Sequence, residues 1–287
     1  MPAASILIKP ASANCNMDCK YCFYKCLSSH REEYSKGFMK EETLETLVRE
    51  AIAYADGSLT FAFQGGEPTL AGLDFFQKAV ELQQKYNNKK LQIENTIQTN
   101  GLLIDEKWAR FLGEHRFLVG LSLDGPKKMH DRYRNDAAGQ DTFARIMHSV
   151  QLLEQYHVDY NVVTVVTNDT AKQASFLYKF WKRNHYPFVQ FIPCMDEIKR
   201  QDGTQERSIY AVEPEQYGKF LCELFDLWYA DFVAGEAMDI RMFSNLAQMA
   251  AGYPAEECGM NGCCNCYFVV EGDGSVYPCD FYCMAAG

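Results

Sequence analysis

Along the chain, short apolar runs rich in β-branched and aromatic residues alternate with longer stretches whose apolar positions recur at helical spacing. The short runs are Ser5–Lys9, Leu59–Gln64, Leu91–Gln98, Phe117–Ser122, Tyr160–Thr167 and Phe188–Pro193, and each has the length and composition of a strand. The stretches between them predict helices near Glu41–Tyr54, Asp74–Tyr86, Asp105–Glu114, Thr142–Tyr156, Thr170–Asn184 and Pro214–Ala234. Asp105, Thr142 and Thr170 stand where N-caps are expected, just ahead of the periodic residues. A strand–helix alternation repeated in this way predicts βα units around a parallel sheet. The charged stretch Asp196–Glu215 reads as a surface loop after the sixth strand.

Beyond Gly252 the pattern changes. Cys258-Gly-Met-Asn-Gly-Cys263-Cys264-Asn-Cys266 leads into Tyr267–Glu271, then Gly272-Asp273-Gly274-Ser275, then Val276-Tyr277-Pro278-Cys279. Two short strands around an Asp-Gly turn predict a β-hairpin flanked by cysteines. A chain of 287 residues suits one large α/β domain with a small appendage, divided here into 1–234 and a connecting helix with the cysteine-rich segment, 235–287. The chain stops at Gly287, inside a ligand pattern, which predicts a truncated form.

Charge and composition narrow the function. With 38 acidic against 28 basic side chains and a net charge of −10, the surface repels a phosphate backbone unless its cations are segregated. The pairs Lys89-Lys90, Lys127-Lys128 and Lys199-Arg200 sit in polar stretches, so nucleic acid is not an expected partner. The N-terminus has no secretory pattern and no segment has the apolar length of a membrane span, so a cytoplasmic protein is expected. In a reducing compartment a disulfide framework is not expected, and the 12 cysteines point to metal or cluster ligation. Four lie between Cys15 and Cys26 and six between Cys258 and Cys283.

Cys15-x₃-Cys19-x₂-Cys22 directly follows the first strand. A [4Fe–4S] cluster normally takes four thiolates, so three at one site leave one iron open to a small-molecule ligand. Cys26 offers a fourth thiol, although the spacing is complete without it. A structural zinc site is the alternative, usually built from paired C-x₂₋₄-C knuckles; here there is one knuckle and an extra cysteine, with His30 nearby. The next three strands end in polar, glycine-containing turns: Gln64-Gly65-Gly66-Glu67-Pro68, Gln98-Thr99-Asn100-Gly101 and Ser122-Leu123-Asp124-Gly125-Pro126. Glycines let backbone approach a ligand and a carboxylate can pair with an ammonium. In parallel α/β barrels the active site is built from such C-terminal strand ends.

The motif Cys15-x-x-x-Cys19-x-Tyr21-Cys22, followed by Gly65-Gly66-Glu67-Pro68, resembles the radical S-adenosylmethionine (SAM) superfamily, which implies an α/β partial (βα)6 TIM-like barrel. Ile8-Lys9-Pro10-Ala11-Ser12, Phe61 to Gly72, Gln98-Thr99-Asn100-Gly101 and Val276 to Tyr282 extend the likeness over the whole chain. Together they resemble the anaerobic sulfatase-maturating enzymes, which carry an additional cysteine-rich SPASM domain. The resemblance implies a SAM-binding [4Fe–4S] cluster on Cys15, Cys19 and Cys22. Gly66 and Glu67 are then expected at the methionyl amino group with Gly65 also cofactor-binding, Tyr21 by the adenine and Met195 at its edge. Ser122 is expected at the ribose and Arg134 at the methionyl carboxylate, with Gln98 among the cofactor-binding residues. Cys258, Cys264 and Cys279 match ligands of an auxiliary [4Fe–4S] cluster, with Asp280 as catalytic base. The remaining auxiliary ligands of that family lie past this chain's end; Cys263, Cys266 or Cys283 are candidate substitutes in the first auxiliary site. The implied reaction oxidises a Cys or Ser side chain of an unfolded sulfatase to Cα-formylglycine, with reduced flavodoxin or ferredoxin as electron donor. A crosslink-forming SPASM peptide maturase, a zinc site at the C-terminal cysteines and a non-enzymatic iron–sulfur electron carrier are the alternatives.

Overall fold

The computed structural model describes residues 4–196, 207–260, 262 and 267–283. Six parallel strands follow the predicted runs: β1 (Ala4–Ile8), β2 (Ser58–Phe63), β3 (Gln92–Thr99), β4 (Leu118–Ser122), β5 (Tyr160–Val166) and β6 (Phe188–Pro193). Consecutive strands pair in register from β1 to β6, so each crossover lays its helix on the outer face. Among the described residues no pairing joins β6 to β1; β7 (Asp239–Ile240) extends the β6 edge, and β8 (Phe268–Val270) pairs parallel with β1. The antiparallel β9 (Val276–Tyr277) completes the expected hairpin. The result is an open, partial (βα)6 barrel whose sheet also takes in the C-terminal hairpin.

The helices sit where their periodicity places them. A short α1 (Phe23–Ser29) follows the first cysteine triad, and α2 (Glu41–Tyr54), α3 (Leu73–Tyr86) and α4 (Glu106–Glu114) cover β1 to β4. Next come α5 (Lys127–Tyr133), which like α1 the sequence pattern did not reveal, α6 (Phe143–Gln155), α7 (Ala174–Arg183), α8 (Pro214–Ala234) and α9 (Arg241–Ala250). Leu44, Val48 and Ile52 of α2 and Phe76 of α3 are buried with Phe61 and Phe63 of β2 in the layer between helices and sheet. The expected caps divide. Asp105 accepts from the Trp108 amide at 2.9 Å, as an N-cap should. Thr142 stands at the cap position of α6, but its hydroxyl turns to the Arg134 carbonyl, and Asp131 caps in its place by accepting from the Thr142 and Phe143 amides. Thr170 opens a 3-10 turn, Thr170–Lys172, ahead of α7. No helix among the described residues is long and apolar enough to cross a membrane.

Candidate active site

The strand ends and the cysteine loop surround one open cavity of about 1840 Å³, bordered by Cys19, Cys22, Gln98, Ser122, Met195 and Asp280. It is continuous with the polar barrel interior, where Thr60, Thr96, Asn161 and Gln190 are exposed to it.

Cys15, Cys19 and Cys22 lie on the loop between β1 and α1, and Cys22 itself is the N-cap of α1. Sulfur-directed donors surround the loop. The Met17 amide lies 3.4 Å from Cys15 Sγ, Asn100 Nδ2 3.8 Å from the same sulfur, and Arg134 3.9 Å from Cys19 Sγ. Burial pushes the Cys19 thiol up to about 11 against the pull of Arg134, so as a free thiol it is neutral. A metal reverses this by binding the thiolate outright. Three thiols on one loop, with N–H donors aimed at two of them, therefore fit a [4Fe–4S] cluster, whose sulfurs are tuned by such hydrogen bonds. Among the described residues no group of three or more His, Cys, Asp or Glu side chains is already drawn together as a metal cage.

The Gly65-Gly66-Glu67 segment runs against this loop. Gly66 and Glu67 amides donate to the Ser12 and Asn14 carbonyls, both at 2.8 Å. A Cβ on Gly66 would fall 2.1 Å from the Asn14 oxygen, so only glycine fits. Sequence reading gives Glu67 a share in holding an ammonium; the structure puts its carboxylate elsewhere. Its Oε1 accepts from the Thr69 amide and from the Thr69 and Thr99 hydroxyls, and its Oε2 from the Asn100 amide. The side chain is buried, does not border the cavity, and staples the loop after β2 to the loop after β3.

Across the cavity, Arg134 is buried with its Nε 2.9 Å from Asp124 Oδ2. Asp124 also accepts from the Val165 amide at 3.0 Å and from the Tyr21 hydroxyl. The guanidinium lies 5.4 Å from the Tyr21 ring centroid, a cation–π distance. Gln98 donates to the Ser122 hydroxyl at 3.2 Å, in space left by Gly120, where a Cβ would meet the Gln98 amide oxygen at 2.1 Å. Met195, just past β6, is exposed at the rim.

Asp280 lies in a 3-10 turn after β9 and is 8% exposed. Lys9, only 1% exposed at the end of β1, is 2.7 Å from Asp280 Oδ1 and 3.3 Å from Glu271 Oε1. Tyr24 donates to Asp280 Oδ2 at 2.8 Å and accepts from Gln64 at 2.6 Å. Glu271 also pairs with Arg31 at 2.6 Å and accepts from Ser12 at 2.8 Å. Cys279 lies 3.8 Å from the Tyr267 hydroxyl. Cys258 is exposed, Cys264, Cys263 and Cys266 fall outside the described residues, and Cys283 is buried in a small core with Leu7, Leu27 and Val269. Sequence reading did not single out Lys9, Tyr24, Gln64, Asp124 or Glu271 as site residues. The signal was there for Lys9, a lone cation closing an apolar strand, and for Asp124 in its Asp-Gly-Pro turn.

Residues 10–180 match the model of the radical SAM superfamily. The chain is 50% identical over 282 residues to a cysteine-type anaerobic sulfatase-maturating enzyme of Clostridium perfringens, covering 98% of this chain and 75% of that one. It is 34% identical to a serine-type anaerobic sulfatase-maturating enzyme of Bacteroides thetaiotaomicron, over 96% of this chain and 69% of that one. Among solved structures it is similar to native anSMEcpe with bound AdoMet and Cp18Cys peptide, with a TM-score of 0.91 and 48% identity over 99% of this chain and 75% of that one. With its cysteine loop, its barrel and these relatives, the chain belongs to the anaerobic sulfatase-maturating enzymes of the radical SAM superfamily.

Proposed function

We propose that this enzyme oxidises a cysteine side chain in an unfolded sulfatase segment to Cα-formylglycine. Its greater identity to the cysteine-type relative than to the serine-type one favours cysteine as the substrate residue. The observation that carries the reading is that Asp280, the cysteine loop, Arg134 and Ser122 all open into one cavity.

Cys15, Cys19 and Cys22 would hold the [4Fe–4S] cluster and leave one iron for SAM. When bound, the two together supply a carbon-centred radical that takes one hydrogen atom from the substrate Cβ. The protein's part is to bind, orient and exclude water. Arg134, held by Asp124, offers its guanidinium to the methionyl carboxylate through a charge-assisted bond. Backbone of the Gly65-Gly66 turn, which packs against the cysteine loop and is braced by Glu67, is the proposed holder of the ammonium. Ser122, oriented by Gln98, serves the ribose, while Tyr21 and Met195 serve the adenine. Polar side chains of the barrel interior, Thr96, Asn161 and Gln190 among them, offer hydrogen bonds to the backbone of an extended substrate.

After hydrogen abstraction the substrate must lose one proton and pass one electron to an auxiliary cluster to become a thioaldehyde, which water would convert to the aldehyde with release of hydrogen sulfide. Asp280, which borders the cavity, is the proton acceptor in this reading. Cys258, Cys264 and Cys279 are the proposed ligands of an auxiliary [4Fe–4S] cluster next to that carboxylate, on the segment 235–287, with residues 1–234 forming the SAM barrel. The division is one of chemistry, because β8 continues the barrel sheet. Reduced flavodoxin or ferredoxin is the proposed electron donor. The test is anaerobic reconstitution with SAM, a reductant and a cysteine-containing sulfatase peptide. Product mass is expected to show CH₂SH replaced by CHO. A crosslinked peptide, which retains its sulfur, would overturn the reading.

A further inference from the structure

His130 sits in α5, 0% exposed, and does not border the cavity. Both ring nitrogens are engaged, and the partners fix the direction of each bond. Nδ1 lies 3.3 Å from the Asp124 backbone nitrogen, which can only donate, so Nδ1 carries a lone pair. Nε2 lies 3.0 Å from the Thr142 hydroxyl oxygen. That hydroxyl is 2.7 Å from the Arg134 carbonyl, to which it can only donate, so it must accept from Nε2–H. The sequence of bonds runs Asp124 N–H to His130, His130 N–H to Thr142, and Thr142 O–H to the Arg134 carbonyl. One neutral tautomer satisfies it.

These bonds join the backbones of the two residues whose side chains form the 2.9 Å ion pair. They are needed there because Arg134 is the C-cap of α5, with φ −110° and ψ 83°, so its carbonyl has left the helical ladder. The Asp124 amide lies beyond the end of β4, outside the strand pairing. Without His130 and Thr142 the ion pair and the Val165 and Tyr21 bonds to Asp124 would remain, but the link from the Asp124 amide to the Arg134 carbonyl would be lost.

We propose that His130, as the Nε2–H tautomer, is a positioning residue that fixes Asp124 against Arg134 and thereby sets the affinity for the SAM carboxylate. The inference rests on the reading of Arg134 given above. The charges facing the ring suit a neutral form: burial dominates, Asp124 and Asp131 draw the proton on, Arg134 and Lys127 oppose it, and the net effect is a pKa lowered to about 4.

The experiment measures SAM affinity of the reconstituted full chain in five forms: wild type, Arg134→Ala, His130→Phe, the double variant, and His130→Asn, whose amide oxygen can replace the Nδ1 acceptor. His130→Phe is expected to weaken SAM binding about tenfold, with His130→Asn intermediate. The double variant should bind SAM no more weakly than Arg134→Ala alone, because His130 acts through Arg134. Additive losses would overturn the inference, as they would show His130 supporting the fold generally. If His130→Phe does not fold, Thr142→Val removes only the hydroxyl link, and an unchanged SAM affinity there would overturn it as well. The two readings fail separately. Unchanged affinity in Arg134→Ala removes the assignment of Arg134, whereas a loss there with wild-type affinity in His130→Phe removes this inference alone.

Discussion

Asp124 and Asp280 are buried carboxylates, the first behind the cavity-lining Arg134 and the second on the cavity wall itself, and each is paired with a buried cation. Their surroundings differ. Asp124 takes donors from Arg134 at the end of α5, Val165 in β5 and Tyr21 in the cysteine loop. Asp280 shares Lys9 with a second carboxylate, Glu271, which is itself also held by Arg31. A buried charge is costly when it loses its partner. If Asp124 took up a proton, Arg134 would be left without its anion. If Asp280 did so, Lys9 would keep Glu271. The first arrangement suits a fixed framework for a ligand, and the second suits a carboxylate whose charge changes during turnover.

The contrast breaks most completely if the cysteine loop is not the centre around which both carboxylates are arranged. Replacing Cys15, Cys19 and Cys22 together with alanine is expected to abolish 5′-deoxyadenosine formation and remove about four irons per chain, one cluster's worth. Iron analysis and product chromatography check this, and retained SAM cleavage would contradict it.

Removing the shared cation should have the next largest effect. Lys9→Met leaves Asp280 and the Glu271–Arg31 pair buried with one positive charge too few, so a stability loss of roughly 3–5 kcal/mol is expected. Denaturant unfolding measures it. A loss below about 1 kcal/mol would mean that water reaches the pair and that the shared-cation contrast is wrong.

The barrel outline was legible in sequence because each strand and helix carries its own local periodicity. The predicted runs match β1 to β6 within a residue or so at each end, and Pro214–Ala234 is α8 as found. The short α5 was missed because seven residues give too few turns for a pattern. At the site, local signals identified which loops carry chemistry but not where each side chain points. Glu67 shows this: beside two glycines it suggests a ligand for an ammonium, yet the hydroxyls and amides of Thr69, Thr99 and Asn100 capture it. Thr142 likewise holds the cap position while its hydroxyl serves Arg134. The partners of Asp280 are Lys9 and Tyr24, the latter 256 residues away in sequence, and the β1–β8 pairing brings the two segments together.

A smaller effect sharpens the framework side. His130 is buried neutral with its pKa lowered from 6.5 to about 4, so between those values the unfolded chain binds a proton that the folded chain refuses. Its contribution is intact above about pH 6.5 and is lost as pH falls toward 4, with roughly 2 kcal/mol of that loss between pH 7 and pH 5. Urea unfolding at the two pH values should give a shallower slope for His130→Asn than for wild type. Equal slopes would contradict the neutral, buried assignment.

The central claim is that Asp280 receives the substrate proton after hydrogen abstraction, and Asp280→Asn tests it most directly because it keeps the side chain's shape and removes its basicity. The measurement is the ratio of formylglycine to 5′-deoxyadenosine in the reconstituted variant and the wild type. The account predicts that SAM still binds and 5′-deoxyadenosine still forms, while formylglycine falls by about a hundredfold or more, the scale of a lost general base. An unchanged ratio and rate would remove Asp280 from the chemistry.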